Sequence, residues 1–419
     1  MSAQWRLLGA ATVAAIFACA PSAPSQAQPA DAKLGATVEG LLAAGRQLSP
    51  ALRAMALETE AAIAKVAAAG ALDDPTISNS YQYYKDGGVF SAHTVMLSQS
   101  FPLWGKRDLR QQAALADVAA SRGREQATRD DLDEKIKVAH AQYFMITGSL
   151  IVNREIIGLA RRMQAATAAR YGQGGSDQVA AIQAIGEETA AKIEAVRLEG
   201  NRAAIRARLN TLVGRSADAL LAEPIRVRPL PIATPGVGAL VDRARGANPT
   251  LTASTAAISA ARSRSDLADK AWYPDVTVGA GPVIQTNNRS LGFAAAVGLN
   301  IPVPWGRAAS GQLEAAAQLS ATQLRYDAAR LEIEGALGEV VARLHAARAT
   351  EALLRKEAAP QARATVQSLL ANYGQGRGDL AAVVNAERQL REVALRLLAA
   401  QFNGQVELAA IERLIGGDL

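Results

Sequence analysis

The sequence is poor in cysteine and in aromatic residues, and it has no long apolar segment after its N-terminal region. Of the 419 residues only Cys19 is a cysteine, and Phe, Trp and Tyr together make up 4%. A single cysteine excludes an intrachain disulfide, and so few large side chains favour alanine-rich helices packed side by side over a thick globular core. Beyond the N-terminal region no segment reaches the ~20 apolar residues that a transmembrane helix needs. We therefore expect any membrane-embedded part to consist of strands.

The chain also lacks the residue clusters that catalysis, cofactors or nucleic acid would require. The net charge is only +6 and the basic residues are scattered among acids, which argues against nucleic-acid binding. His93, His140 and His345 are far apart in the sequence, so we expect no enzyme activity, no cofactor and no dedicated metal site. The glycine-rich stretch 172–175 lacks the Lys-Ser/Thr ending of a phosphate-binding loop.

The N-terminus is typical of a secretory signal. Arg6 supplies the positive charge and residues 7–18 form a short apolar run. Two cleavage sites compete, because Cys19 ends a sequence that approximates a lipoprotein box, whereas 25–27 is a small-x-small site for the ordinary signal peptidase. We predict a signal peptide over 1–27, with lipidation of Cys19 as the alternative, followed by an extended linker over 28–40.

The rest of the chain is an internal duplication. Residues 171–214 align without a gap on residues 373–416 at a constant offset of 202, and 101–105 matches 301–306 with one extra proline in the second copy. A unit this long is two half-proteins rather than a solenoid repeat. The predicted division is a first repeat over 41–223, a proline-rich crossing over 224–236 and a second repeat over 237–419.

Each repeat contains two stretches with the length and weak alternation of membrane-barrel strands. They lie at 76–84 and 91–103 in the first repeat, and at 275–285 and 290–303 in the second, so we predict hairpins over 76–103 and 275–303. At 9 to 14 residues by these boundaries, the strands are about long enough to cross a bilayer when tilted.

Long helical hairpins follow the strands, over 106–214 and 307–416. No proline occurs between Pro102 and Pro224, and the first long helix would span about 100 Å at the helical rise. Pro360 should kink the second long helix or open its hydrogen bonding locally. Apolar residues at alternating spacings of three and four predict a coiled-coil seam. Its members are Leu132, Ile136, Ala139, Tyr143, Ile146, Leu150 and Ile157, with Asn153 at one position, and Ile333, Leu337, Val340 and Leu344 in the second repeat.

We therefore predict a mainly α protein with membrane β-structure, built from two pseudo-repeats. Four strands cannot close a barrel, and an open sheet edge in lipid would leave backbone groups unsatisfied. Three copies would supply twelve strands for a closed barrel, with the helices continuing it as a tunnel.

The strand end at 99–107 (Gln-Ser-Phe-Pro-Leu-Trp-Gly-Lys-Arg), the paired Tyr-x-x-Gly hairpins and the duplication together resemble the outer membrane efflux protein family of the TolC type, over about 41–416. The Trp-Gly-Lys-Arg form is similar to the branch serving heavy-metal pumps. The resemblance implies a homotrimer with a barrel in the outer membrane and a tunnel in the periplasm. It also implies a periplasmic adaptor and an inner-membrane pump of the resistance-nodulation-division class.

The resemblance assigns the hairpin tips to adaptor binding; the alternative is that they are only helix-hairpin turns. The tip residues are Tyr171, Gly172, Gly174, Tyr373, Gly374 and Gly376. Asp177 and Asp379 are expected to cap the return helices, and could also form a carboxylate ring at the tunnel mouth. Gln183 and Asn385 could face the lumen. Because Ala382 and Asn385 stand where some members have aspartates, the sequence does not support an acidic gate there.

Trp104 and Trp305 fall where strand becomes helix and fit an interfacial aromatic belt, with Lys106 and Arg107 at headgroup level; the alternative is ordinary packing at a solvated helix start. The predicted function is passive conduction through the outer membrane of substrates exported by the pump. A duct for type I protein secretion and a structural coiled-coil protein without a pore are the alternatives.

Overall fold

The structure is a computed structural model, and it describes residues 34–85, 89–172, 178–231, 233–285, 290–303, 305–375 and 377–419. The predicted signal peptide and both cleavage sites, including Cys19, lie outside the described residues. In the first repeat the elements are α1 (Val38–Leu48), α2 (Pro50–Gly70), β1 (Thr76–Lys85), β2 (Val89–Phe101), α3 (Lys106–Gly172) and α4 (Gln178–Leu212). In the second they are α5 (Val237–Ala247), α6 (Pro249–Asp269), β3 (Asp275–Gln285), β4 (Leu291–Asn300), α7 (Arg307–Leu353), α8 (Ala359–Gly374) and α9 (Leu380–Ile415).

Both repeats begin with a short helix that breaks just before a proline. Pro50 and Pro249 each occupy the start of the next helix, where the missing N–H costs nothing. The first helix begins at Val38, so the predicted linker over 28–40 extends three residues too far. The physical reason is burial, because Val38 and Leu41 are both withdrawn from solvent and apolar burial favours continuing the helix.

One antiparallel sheet of order β1-β2-β3-β4 joins the repeats. The central pair places Phe101 of the first repeat opposite Val276 of the second. Strands β2 and β4 end at Phe101 and Asn300 rather than at the predicted 103 and 303, because Pro102 and Pro302 have no N–H to give to a sheet ladder. Strands β1 and β4 are the two edges of this sheet.

The helix α3 has 67 residues, which corresponds to about 100 Å. Its predicted seam is buried from Leu132 to Leu150. Beyond that the prediction was wrong by one residue, since Ile156 is buried and Ile157 is only half-buried. The seam takes a step of three after Asn153, whose Nδ2 donates to the Ala191 carbonyl of α4 at 2.9 Å. The return helix thus accepts from the amide nitrogen of this polar seam residue, whereas its Oδ1 is buried with no hydrogen-bond partner among the described residues.

The predicted disturbance at Pro360 is confirmed. A π-helical turn, Leu354–Ala358, separates α7 from α8, and the N–H of Ala359 bonds to the carbonyl of Leu354, five residues earlier. Proline has no N–H to continue the α-helical pattern, so the preceding turn widens. None of the helices within the described ranges combines the length and the apolar character required to cross a membrane.

Candidate functional site

The sheet has two chemically different faces. Residues paired across neighbouring strands share a face, so the pairing register assigns every side chain to one side. One face carries exposed large apolar side chains: Ile77, Tyr81, Val95, Leu97, Phe101, Val278, Ile284, Leu291, Phe293, Val297 and Leu299. The other is mostly polar or small, apart from Met96 and Val283: Ser78, Ser80, Gln82, Thr94, Ser98, Ser100, Thr277, Gly279, Gly281, Gly298 and Asn300. The apolar face in turn includes polar residues, among them Asn79, His93 and Gln99. Such a sheet suits a barrel wall with lipid outside and water inside.

The strand-to-helix junction of the first repeat is anchored to the second repeat. The indole Nε1 of Trp104 donates to the Pro274 carbonyl at 2.9 Å, and its ring lies 5.3 Å from that of Tyr273. The Nζ of Lys106 donates to the Tyr273 carbonyl and forms an ion pair with Asp275 Oδ1, each at 2.8 Å. Lys106 is therefore buried, at 7% exposure, and is not free to reach lipid headgroups as the sequence had suggested.

Arg107 is likewise engaged within the protein, since its Nε donates to the Gly70 carbonyl at 3.0 Å. The expectation that two adjacent cations face headgroups is therefore corrected: one is buried and the other half-buried. The two tryptophans differ from them, because Trp104 is half-exposed and Trp305 is 87% exposed.

The hairpin tip of the second repeat is supported by an apolar core to which both repeats contribute. Tyr373 is 2% exposed, and its hydroxyl lies 3.0 Å from Thr167 Oγ1 of the first repeat. Because the Thr167 hydroxyl donates to the Met163 carbonyl at 2.8 Å, Tyr373 is the donor between the two hydroxyls. The side chain of Tyr373 thus faces inward, not towards a partner. The surrounding core comprises Leu159, Met163, Ala184, Val366, Leu380, Val383, Val384 and Ala386.

The remaining tip residues are only partly described. Gly172 and Gly374 are exposed at the ends of α3 and α8, and the backbone of Tyr171 lies in the last turn of α3. Gly174, Asp177 and Gly376 lie outside the described residues. Asp379 caps α9 as expected, since its Oδ1 accepts from the Ala381 N–H at 3.2 Å.

Further along the return helices, Gln183 of α4 and Asn385 of α9 are both exposed. Two residues after Asn385 lies a buried carboxylate that sequence reasoning missed. Glu387 is 3% exposed, and its Oε1 has no hydrogen-bond partner among the described residues. Burial raises the pKa of Glu387, Arg391 on the same helix opposes this, and Glu187 on α4 adds to it.

The nearby Arg388 forms an ion pair with Glu187, which joins the return helices of the two repeats. Comparison of the two repeats could have indicated this site. At the offset of 202 the residue that corresponds to Glu387 is Ile185, which is apolar and exposed. A charge that replaces an apolar residue between copies points to a site where the repeats have diverged. In the described part of the chain no group of three or more His, Cys, Asp and Glu residues is placed to hold a metal ion.

A two-faced sheet at the end of helical hairpins about 100 Å long defines a class of protein, the outer-membrane channel that continues as a helical tunnel. The family of outer membrane efflux proteins matches residues 41–215 and 240–417, and the chain belongs to this family. The chain is thus the outer-membrane channel component of an efflux system, with its tunnel in the periplasm. Its homologues are channel proteins rather than enzymes, and members of the family form trimers and act with adaptor proteins and inner-membrane pumps.

Individual relatives agree with this assignment. The nickel and cobalt resistance protein CnrC of Cupriavidus metallidurans strain CH34 is 27% identical over 297 residues, which is 70% of this chain and 69% of CnrC. The outer membrane protein VceC of Vibrio cholerae superposes with a TM-score of 0.77 at 20% identity, covering 91% of this chain and 96% of VceC. A membrane protein of Pseudomonas aeruginosa gives a TM-score of 0.80 at 19% identity, covering 96% of both chains.

Proposed function

We propose that the protein works as a homotrimer whose three sheets close one barrel of twelve strands. The observation that carries this proposal is the pair of free sheet edges, β1 and β4. In a bilayer the unpaired N–H and C=O groups of an edge find no water, so an open sheet there is strongly disfavoured. Because the strands alternate in direction, β4 of one copy lies antiparallel to β1 of the next, as ring closure requires.

The hairpin tips are the proposed docking site for a periplasmic adaptor that connects to an inner-membrane pump of the resistance-nodulation-division class. The exposed Gly172 and Gly374 allow a partner backbone to approach closely, and we include Tyr171, Gly174 and Gly376 in the surface. Tyr373 supports this surface from within. Adaptor binding would spread the return helices and widen the mouth, for which Asp177, Gln183, Asp379 and Asn385 are the proposed lining residues.

The proposed cargo is divalent metal cations, which deepens the assignment to efflux. This rests on the similarity to a nickel and cobalt resistance protein and on the Trp-Gly-Lys-Arg form of the first junction. Trp104 and Trp305 remain the proposed interfacial belt, because both are exposed beside the apolar sheet face.

A deletion strain tests this cargo. We expect increased sensitivity to nickel and cobalt, restored by the wild-type gene, and channel conductance of the purified trimer in planar bilayers. Increased sensitivity to organic drugs alone would overturn the metal assignment while keeping efflux. Loss of a secreted protein with unchanged metal and drug resistance would favour the type I secretion duct.

A further inference from the structure

The two repeats already show, within one chain, how two neighbouring units fit together at the base of the barrel. Trp104 and Lys106 of the first repeat dock on the segment Tyr273–Asp275 of the second, through Trp104 Nε1 to the Pro274 carbonyl and Lys106 Nζ to the Tyr273 carbonyl and Asp275 carboxylate. Lys106 becomes buried in this contact. The interface is therefore an observed template for a unit meeting its neighbour.

The duplicated sequence supplies both halves of a second such interface. The counterparts of Trp104 and Lys106 are Trp305 and Arg307, and the counterpart of Tyr273–Asp275 is the segment 74–76, Asp-Pro-Thr. The turns correspond as well, because Gly105 and Gly306 both have positive φ, at 75° and 92°. At such angles a side chain is strained, so both junctions need glycine at this position, and the first junction also holds Trp104 at a positive φ of 64°.

Within one chain the two sides of this second interface, Trp305 with Arg307 and the segment 74–76, do not meet. Trp305 is 87% exposed and Arg307 is exposed, with no ion pair to any described residue. Asp74 and Pro75 are exposed at the other edge of the sheet. The only arrangement that brings β4 beside β1 without bending the sheet back on itself is contact with a second copy.

The helices give an independent indication of the same partner. The long helix α3 packs against α2 of its own repeat and α6 of the other, with Gly123 against Ala253 and an ion pair between Asp117 and Arg264. Its counterpart α7 packs against α6, but among the described elements it has no substantial contact with α2. Large apolar side chains are exposed on both helices: Leu313, Leu324 and Leu331 on α7, and Leu57 and Ile63 on α2.

We propose that Trp305 and Arg307 of one copy dock on Asp74 and Pro75 of the next copy, as Trp104 and Lys106 dock on the second repeat. The indole donates to the Pro75 carbonyl. The guanidinium pairs with the Asp74 carboxylate, which lies two residues before Thr76, the counterpart of Asp275. Arginine offers several donors in a wider fork than lysine, which suits the displaced acid. This inference rests on the proposed trimer and adds the contact that locks its copies together.

Cross-linking between two differently tagged copies tests the proposal. One copy carries Arg307→Cys and the other Asp74→Cys, and the full-length proteins are co-expressed and oxidised. We expect a disulfide-linked pair of chains that carries both tags. When both copies carry Arg307→Cys alone, or neither carries a new cysteine, the linked pair should be lost. A single chain with Lys106→Cys and Tyr273→Cys should cross-link without adding a second chain.

Native mass spectrometry of the same samples separates the two levels of the argument. A trimer without the two-tag product overturns the docking contact and leaves the proposed duct intact. A monomer overturns both. Charge exchange provides a second measurement: Arg307→Asp should raise trimer dissociation by about two- to fivefold, the range for a partly exposed ion pair, and adding Asp74→Arg should reverse it. Failure of the double variant to recover would contradict the Arg307–Asp74 pairing.

Discussion

The hydrogen bond between Thr167 and Tyr373 joins the two repeats at the tip, and removing it should loosen this end of the tunnel. Thr167→Val deletes the acceptor and keeps the shape of the side chain, whereas Tyr373→Phe deletes the donor. Both groups are almost fully withdrawn from water, so neither loss is compensated by solvent. The two variants and their combination form a double-mutant cycle for a single contact at 3.0 Å.

The expected coupling is about 1 kcal/mol, the typical net value of an intramolecular hydrogen bond. This corresponds to about a fivefold change in a local opening equilibrium. Amide hydrogen exchange of residues 159–172 and 366–375 measures that opening directly, because exchange in the tip follows local rather than global unfolding. We expect each single variant to exchange about fivefold faster, and the double variant no faster than the more affected single one.

Thr189→Val is the matched control. Its hydroxyl donates to the Ile185 carbonyl of its own helix at 3.0 Å, as Thr167 does to Met163, but it is exposed on α4. Exchange at the tip should be unchanged in this variant. If the effects of Thr167→Val and Tyr373→Phe simply add, the hydroxyls do not interact, and the account of the tip as a contact between repeats is refuted.

Three further predictions concern other parts of the molecule. Lys106→Met should destabilise the junction by about 1–3 kcal/mol, because the partly buried Asp275 carboxylate loses its cation; a lower temperature for the heat-induced shift in gel mobility would show it. Gly123→Ala should lower the free energy of unfolding by about 1–3 kcal/mol, because the new Cβ would lie 2.7 Å from an α6 side chain. Gly158→Ala is the control, since nothing lies within 4 Å of its new Cβ, and it should raise the free energy of unfolding by up to about 1 kcal/mol. Thermal unfolding compares the two variants. Glu387→Gln should remove a pH dependence of tip exchange, because a raised pKa means that the native tip loses stability as pH rises above the ordinary glutamate value of about 4.3. If hydrogen exchange at the tip depends on pH equally in this variant and in the wild type, then ionisation of Glu387 does not destabilise the tip.

Much of the fold follows from local sequence signals. The helix breaks before Pro50 and Pro249, the strand ends at Pro102 and Pro302 and the disturbance at Pro360 all follow from a residue that cannot donate a hydrogen bond. These signals act within a few residues, so a single sequence contains them in full. The strands could be recognised for the same reason. Successive residues of a strand lie on opposite faces of a barrel wall, so polar and apolar residues alternate within a short segment.

Apart from the ends of two strands and the linker boundary, the errors concern contacts between distant residues. The burial of Lys106 depends on an acceptor at Asp275 and that of Tyr373 on Thr167, and no local pattern states that these pairs meet. The shift of the seam from Ile157 to Ile156 has a similar cause, because the position of Asn153 is fixed by its bond to the return helix. Glu387 was missed because a lone acid on a helix is usually solvent-exposed.

The π-helical turn before Pro360 also accounts for a difference of one residue in length between the two repeats. The first long helix has 67 residues, and the corresponding segments of the second, with 47, 5 and 16 residues, total 68. The offset between the repeats accordingly changes from 201 at Lys106 and Arg307 to 202 at Tyr171 and Tyr373.

A π-turn is the form in which a helix accommodates one additional residue without breaking. The buried residues change phase at this point, since Leu344 and Val366 are separated by three heptads and one residue, and Val366 and Tyr373 by one heptad. The turn thus absorbs an insertion, and the two long helices still meet near their tips, at Thr167 and Tyr373, despite their unequal lengths. Removing one residue between Leu354 and Ala358 should restore a regular helix with both tips unmoved, whereas the same deletion in α3 should rotate its tip out of register.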